Sequence, residues 1–492
     1  MMNQLEKVYK HIDDNLGDHI ENMRKLLMQP SISQTGEGVV DCAEMLKDWL
    51  SGLGCSHVEL AKPEFYWPIV YGEYDAGAEK TLIVYGMYDV QPVEPDLWKV
   101  PPFAGRIVER PPFKKVVMNR GATNTKGPMA AFLNAFESVQ QAAGELPVNV
   151  LFVFEGEEER GSASMPGFVR DYEERLRRAA GVFFPIGSQN QNGLAQPMMG
   201  SEGILYIELE TSGALWGRGP TQFGVHGAMK RILDSPAWRH VKMLSTLVSE
   251  DGNTVEVDGW YDDIAVPSKE DLRLLEEGYR ESLPALEVFD PELLKEVMKV
   301  ERFKGDLKDP KEILEEMLFS TSFNLDGIWG GWTGPGTKTF LPHKVTSKHN
   351  IRFVPNQTLD GLYNKIRRHL DEQGYGDVEL RKLGGYSWAL IDYRNPLAEA
   401  MYDTFEEFCV KYSINPPVAN PIHTSPAWPA YIFAEEPLKL PIVGGSLGHG
   451  GLAHSPNEYY VIEGCDAKYG RVHGLAGAEK SMASVLFHFA AR

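Results

Sequence analysis

Short apolar runs that alternate with a helical segment constrain the fold of this chain more than any other feature. Strand-like, β-branched runs occupy residues 69–73, 81–86 and 149–154, and helical periodicity spans about 128–142 between the last two. A strand, a helix and a further strand in this order are typical of βαβ units with parallel strands. Residues 3–28 have the periodicity of one amphipathic helix. We therefore predict an α/β fold with a mainly parallel sheet flanked by helices.

A change of pattern after about residue 205 predicts a second structural unit. Residues 204–211 alternate between apolar and polar side chains like a half-exposed strand, and strand and helix signals then follow each other up to about residue 373. A chain of 492 residues also exceeds what one hydrophobic core usually supports. We predict a main α/β domain of residues 1–208 and 394–492 and an inserted, smaller α+β domain of residues 209–393.

Composition excludes several classes of function. The formal net charge of −20 argues against a nucleic-acid partner, because binding phosphates needs clustered Lys and Arg. No apolar stretch reaches the roughly 20 residues of a membrane helix, and the first residues lack the pattern of a signal peptide. The four cysteines are scattered without a paired spacing, which is typical of reduced thiols. We expect a cytoplasmic enzyme that acts on a small molecule, with no membrane partner.

Four motifs carry residue types that are suited to catalysis. They are Tyr85-Gly-Met-Tyr-Asp-Val-Gln-Pro92, Arg120-Gly-Ala-Thr-Asn-Thr-Lys-Gly-Pro128, Phe154-Glu-Gly-Glu-Glu-Glu-Arg-Gly-Ser162 and Gly444-Gly-Ser-Leu-Gly-His-Gly-Gly-Leu-Ala-His-Ser-Pro-Asn-Glu458. Each motif alone is commonplace, since acidic loops after strands and glycine-rich turns are frequent. Their occurrence in this order is far more specific.

Together these motifs resemble the zinc-dependent dipeptidase and aminoacylase family that includes carnosine dipeptidase. That family has Gly-His-Tyr-Asp-Val-Gln-Pro, Arg-Gly-Ala-x-Asp-x-Lys-Gly-Pro, Glu-Gly-x-Glu-Glu-x-Gly-Ser and Ala-His-Ser-x-Asn-Glu. Residues 330–342 and 351–357 are similar to its inserted-domain signatures, so the resemblance covers nearly the whole chain. It implies a catalytic α/β domain around two metal ions and a smaller domain for lid closure and dimerisation. It also implies a homodimer.

The resemblance implies catalytic roles for four residues. Glu158 matches the general base, and Asp89 matches the aspartate that orients a metal-binding histidine. Glu159 and His454 match two ligands of one metal ion. Crowded carboxylates cannot all ionise easily, so one of them is expected to hold a proton near neutrality and to serve acid/base chemistry.

Three departures from the family pattern affect the metal ligands. Met87 stands where the other metal ion has its histidine, and Asn124 stands where an aspartate bridges both ions. The last aspartate ligand is also missing, since residues 181–201 contain no Asp or Glu. Zinc sites usually need three or four good N, O or S ligands. We therefore expect no paired metal centre and no cofactor, or at most one weakly bound zinc ion on Glu159, His454 and Asn124.

The resemblance also suggests residues that bind the substrate. Arg352 matches an arginine that holds the substrate carboxylate, although a structural ion pair is the alternative. His226 is the candidate for a lid histidine that contacts the reacting carbonyl. His423, in Ile422-His-Thr-Ser-Pro426, replaces part of the family's Gly-Gly-Ser-Ile-Pro loop. Asn124 and Met87, at former metal positions, are further candidates for substrate contact.

Three hypotheses remain open at this point. The first is an enzyme that acts on a small carboxylate-bearing amino-acid or peptide derivative without the paired metals, by amide hydrolysis or related acid/base chemistry with Glu158 as general acid or base. The second is a mononuclear-metal dipeptidase or amidohydrolase. The third is a non-catalytic homologue that binds ligands.

Overall fold

The computed structural model describes residues 2–273, 291–412 and 428–492. The strands are β1 His57–Ala61, β2 Ile69–Tyr74, β3 Thr81–Met87, β4 Arg106–Arg110, β5 Phe113–Met118, β6 Asn149–Glu155, β7 Val182–Phe184, β8 Gly200–Ser201, β9 Gly203–Ser212, β10 Val225–His226, β11 Ser322–Gly330, β12 Phe340–Leu341, β13 Lys344–Phe353, β14 Glu379–Tyr386, β15 Ala389–Leu390, β16 Ile442–Gly444, β17 Gly450–Gly451, β18 Tyr459–Glu463, β19 Cys465–Ala467 and β20 Gly470–Val472. The α-helices are Met2–Asp14, Leu16–Met28, Val39–Gly52, Lys126–Ala143, Met165–Asp171, Glu173–Leu176, Gly213–Trp216, Pro236–Leu244, Pro291–Met298, Pro310–Phe319, Leu359–Glu372, Pro396–Glu407, Tyr431–Ala434 and Leu475–Ala491.

The main sheet has six strands in the order β1-β2-β6-β3-β7-β16. Strands β6, β3, β7 and β16 run parallel to one another, while β2 is antiparallel to both β1 and β6. The helix Lys126–Ala143 connects β5 to β6 and is buried along most of its length. The predicted α/β fold with a mainly parallel sheet is therefore confirmed.

A second, four-stranded antiparallel sheet has the order β11-β13-β9-β14. It has a hydrophobic core of its own, in which Leu205, Trp260, Ile351 and Ile366 are buried. Because β9 pairs with β13 from Gly203 onward, the boundary that we propose after residue 208 falls within this strand. The division into domains and its exact boundaries stay a prediction.

Two helix predictions differ from the structure. The expected helix over residues 3–28 is two helices that meet at Asn15, whose side-chain amide donates to the carbonyl of His11 at 2.8 Å in addition to its backbone N–H at 3.1 Å. One of the helix signals between residues 205 and 373 covers about 236–249, whereas the helix observed there begins at Pro236 and ends at Leu244, where the chain turns. Such boundaries depend on local side-chain bonds that apolar periodicity does not encode.

Two expectations from composition, one on membrane helices and one on disulfide bonds, can be compared with the described residues. Within ranges 2–273, 291–412 and 428–492, no helix is both long and apolar enough to cross a membrane. All four cysteines are free, as their scattered spacing predicts.

Two buried histidines lie in the core beside the second sheet. His240 Nδ1 lies 2.9 Å from Thr211 Oγ1, and His240 Nε2 lies 2.9 Å from Ser347 Oγ. The same hydroxyl lies 2.8 Å from His349 Nε2. Burial lowers the pKa of both rings to about 4, and for His240 the neighbouring His349 contributes to this shift. Both rings are therefore neutral at physiological pH.

We expect the unaltered protein to lose more stability than a His349→Asn variant as the pH falls from about 6.5 to about 4. Acidic groups with raised pKa values, such as Asp89, act in the opposite direction in both proteins and cancel in this difference. Over this window the unfolded chain protonates His240 and His349 whereas the folded chain does not, so the unfolded state is favoured. Each pKa unit of difference corresponds to about 1.4 kcal/mol, which makes the expected loss several kcal/mol. Thermal unfolding followed against pH measures it. His349→Asn keeps a polar group near Ser347 but removes one titrating ring, so an unchanged pH dependence in this variant would contradict the account.

Candidate active site

Parallel pairing brings two of the four motifs together at one edge of the main sheet. Met87, the last residue of β3, lies directly beside Glu155, the last residue of β6. Asp89 follows β3, and its two carboxylate oxygens accept hydrogen bonds from the backbone N–H groups of Glu158, at 3.1 Å, and Glu159, at 3.0 Å. With a methionine at position 87 there is no histidine for Asp89 to orient. Asp89 instead fixes the turn that carries the two glutamates.

Carboxyl groups crowd this edge of the sheet. Burial, followed by the charge of Glu159, raises the pKa of Asp89 to about 7. Burial also raises the pKa of Glu158 well above its usual range, with contributions from the charges of Glu159, Asp89 and Glu155. The fully buried Glu155 accepts hydrogen bonds from the hydroxyls of Tyr85, at 2.5 Å, and Ser162, at 3.0 Å. The arrangement agrees with the prediction that one of these carboxyls holds a proton near neutrality.

Glu158 has the most available carboxyl group of this cluster. Glu158 is half-buried, and its backbone carbonyl accepts a hydrogen bond from the Tyr386 hydroxyl at 2.8 Å. Within the described part of the chain, no hydrogen bond or ion pair engages its carboxyl oxygens. The side chain is therefore held in place through its backbone while its carboxyl stays free to exchange protons with a ligand.

Asn124, Glu159 and His454 converge beside this turn. Asn124 Nδ2 donates to Glu159 Oε1 at 3.0 Å and lies 2.9 Å from His454 Nε2. His454 Nε2 in turn lies 2.9 Å from the same Glu159 oxygen. The hydrogen bond to Glu159 raises the pKa of His454, although partial burial opposes this effect. Glu159 Oε2 is held by Gln91 Nε2 at 2.7 Å.

A buried ion pair holds the loop that presents Asn124. Arg120 Nη1 donates to Glu458 Oε2 at 2.8 Å, and both side chains are almost completely buried. Glu458 also accepts from the backbone N–H groups of Gly121, at 3.0 Å, and of Thr123 and Asn124, each at 2.9 Å. One carboxylate therefore links the second motif to the fourth.

The donor groups do not suit a pair of metal ions. One position offers the buried Met87 thioether, a soft ligand that suits copper(I) rather than zinc. The other offers one carboxylate, one imidazole and one amide, spaced as hydrogen-bond partners. Zinc is usually bound by Cys, His, Asp or Glu, so an amide is an unusual third ligand. Throughout the described ranges, no cluster of three or more His, Cys, Asp or Glu side chains has the spacing of a metal site.

Arg352 is bound to a carboxylate of its own chain. Its Nη1 donates to Glu202 Oε1 at 2.6 Å. Glu202 is the first acidic residue after the carboxylate-free stretch 181–201. Burial raises the pKa of Glu202, and the charge of Arg352 opposes this effect. The alternative that Arg352 forms an ion pair within the protein therefore has direct support, and a role in substrate binding stays a prediction.

Of the two remaining candidates, His226 is not joined to this cluster. His226 is exposed in a two-stranded ribbon, where its Nδ1 accepts from the backbone N–H of Ala228 at 3.2 Å. Among the described residues, no hydrogen bond or ion pair connects it to Glu158, Glu159 or His454. His423 lies outside the described residues, so its proposed role is untested.

The motifs alone missed two residues of the site. Tyr386 reaches the Glu158 carbonyl from β14, and Glu202 reaches Arg352 from the start of β9. Neither lies in one of the four motifs, and both contacts join residues more than 100 positions apart. The only sequence signal was the acidic residue in Met199-Gly-Ser-Glu-Gly203.

Comparisons with known proteins identify the family. The sequence profile described as Peptidase family M20/M25/M40 matches residues 83–472, which is most of the chain. The chain belongs to this peptidase family. The resemblance inferred from the four motifs is thereby confirmed.

Three members of the M20 group illustrate how similar the chain is to them. It is 29% identical over 388 residues to the Cys-Gly metallodipeptidase DUG1 of Candida albicans, covering 75% of each chain. It is 26% identical over 396 residues to the human Beta-Ala-His dipeptidase, covering 75% of this chain and 71% of that protein. The crystal structure of the M20 family metallo-carboxypeptidase Sso-CP2 from Sulfolobus solfataricus matches with a TM-score of 0.82 and 28% identity, covering 96% of this chain and 99% of that one.

Proposed function

We propose that this M20 protein is a hydrolase that acts on a small carboxylate-bearing peptide or amino-acid derivative, with Glu158 as general acid and base and without a paired metal centre. The names of its relatives support a dipeptidase-like activity. The observation that carries the proposal is the half-buried Glu158 carboxyl, which has a raised pKa and no partner within the described ranges. We also propose a homodimer, with the smaller domain as lid and dimerisation unit.

In this mechanism Glu158 takes a proton from the water that attacks the scissile carbonyl and passes it to the leaving amine. The developing negative charge on the carbonyl oxygen needs hydrogen-bond donors. Two donors lie beside Glu159: the Asn124 amide and the His454 imidazole, whose raised pKa favours the charged ring. Asp89 and the Tyr386 hydroxyl hold the turn that positions Glu158.

The second candidate is a hydrolase with one metal ion. It is favoured by the convergence of Asn124, Glu159 and His454, which are mutually within 3.0 Å. If an ion binds there, Glu159 and His454 would hold it through a carboxylate and an imidazole, and Asn124 would have to turn its amide so that the oxygen takes the place of Nδ2. The ion would supply Lewis-acid polarisation of the carbonyl. The third candidate is a non-catalytic homologue that binds the same ligands.

Metal analysis of the purified protein separates the first two candidates. We expect less than stoichiometric zinc in protein purified without added metal, and the same turnover of dipeptides or N-acyl amino acids before and after a chelator, because the ligand set is too weak to retain an ion. Stoichiometric zinc with turnover that stops on chelation would overturn the metal-independent proposal. A panel without any turnover, with ligands bound unchanged, would favour the non-catalytic homologue.

A further inference from the structure

Glu202 forms an ion pair with Arg352, the arginine that is proposed to bind the carboxylate of the ligand. The ion pair between Arg352 Nη1 and Glu202 Oε1 is 2.6 Å long, and the two side chains are only 31% and 21% exposed. Hydrogen bonds between an arginine and a carboxylate are among the strong ones in proteins. The guanidinium group is therefore already bound to a carboxylate, which comes from the same chain.

Strand register places this pair on the face that contacts the active site. Tyr386 on β14 pairs with Ile204 on β9, and Ile204 pairs with Arg352 on β13. Side chains of directly opposed residues lie on the same face of a sheet, so Arg352 shares a face with Tyr386, whose hydroxyl binds the Glu158 carbonyl. Two strand spacings separate Arg352 from Tyr386, or about 10 Å.

The ion pair leaves most of the guanidinium group unused. Among the described residues, the single bond to Glu202 is the only hydrogen bond of the Arg352 side chain. A free carboxylate can bind arginine through two parallel N–H···O bonds, whereas a carboxamide cannot replace the charge that it would displace. A ligand carboxylate is thus suited to compete with Glu202 for the arginine.

We propose that Glu202 sets the affinity for carboxylate-bearing ligands by acting as an internal competitor that a ligand carboxylate must displace from Arg352. The inference rests on the proposed function in one respect, namely that the ligand carries a carboxylate. It adds that the chain itself weakens this interaction and thereby lowers its affinity for ligands that carry the carboxylate.

Calorimetric titration with glycylglycine and with glycylglycinamide tests this role. Glu202→Gln keeps the volume of the side chain but removes its charge. We expect the Kd for glycylglycine to fall by about three- to tenfold, because the competing state of the arginine is weakened, and the Kd for the amide to stay unchanged. Glu208→Gln is the matched control, since Glu208 is on strand β9, which begins directly after Glu202, but pairs with Arg381, at 2.7 Å. It should change neither Kd.

Several results would overturn the proposal. They are equal or weaker binding of glycylglycine to Glu202→Gln, an equal gain for the amide, or no binding of glycylglycine to either protein. Adding Arg352→Met to Glu202→Gln should abolish the gain, and a gain that persists would show that Glu202 acts elsewhere. Because this test reads binding, it stays independent of turnover. A failure of the proposed hydrolysis would appear in the Glu158 variant and in the metal analysis instead.

Discussion

Replacing Glu158 by Gln is expected to reduce turnover by about 10²- to 10⁴-fold, the range typical of a lost general acid or base. Glutamine keeps the volume of the side chain and the backbone bonds to Asp89 and Tyr386, but it can neither accept nor deliver the proton. Ligand binding should stay close to that of the unaltered protein, since the carboxyl has no partner in the described ranges. Steady-state kinetics with a dipeptide or N-acyl amino acid that the protein turns over measures the loss.

Glu157→Gln is the matched control for this experiment. It makes the same chemical change one residue earlier in the same segment. The Glu157 carboxylate is fully buried and accepts hydrogen bonds from the backbone N–H groups of Trp67, at 3.3 Å, and of Ser164. Its loss should lower the melting temperature while the folded protein keeps its turnover. Full activity of Glu158→Gln would refute the assignment of the general base.

How far the sequence predicts this fold depends on whether a contact is local. The apolar runs that became β3 and β6 predicted parallel neighbours, and their pairing places Asp89 next to Glu158 because parallel strands end at the same sheet edge. The break at Asn15 was not predicted, because the apolar periodicity continues across this residue from one helix into the next. Periodicity reports burial over many residues, whereas a helix end depends on single polar groups.

The candidate site also contains residues that the sequence singled out and a contact that it could not predict. Motif resemblance singled out Glu159, His454 and Asn124, and the structure brings all three within 3.0 Å of one another. It could not predict that Glu202 would bind Arg352, because that contact depends on how β9 and β13 pair across the second sheet. Register between strands that are distant in sequence follows from tertiary packing, which no single motif contains.

The largest loss of stability is expected from Glu458→Gln. This carboxylate is fully buried. It binds the Arg120 guanidinium and three backbone N–H groups of the following loop, those of Gly121, Thr123 and Asn124. A neutral amide would leave the Arg120 charge without a counter-charge in the protein interior and would turn an N–H donor toward other donors. Breaking a buried ion pair by altering one partner typically costs about 3–5 kcal/mol.

Urea unfolding of Glu458→Gln beside Glu463→Gln measures this effect. Glu463 is the last residue of strand β18, which begins directly after Glu458. Its ion pair with Lys115, at 3.0 Å, is solvent-exposed, so its replacement should leave the free energy of unfolding essentially unchanged. Because Glu458 holds the loop that presents Asn124, the variant should also lose the contact between Asn124 and His454. A Glu458→Gln protein as stable as Glu463→Gln would contradict this account. It would mean that water or another group replaces the lost charge, and that the second and fourth motifs are held together by their apolar packing rather than by this ion pair.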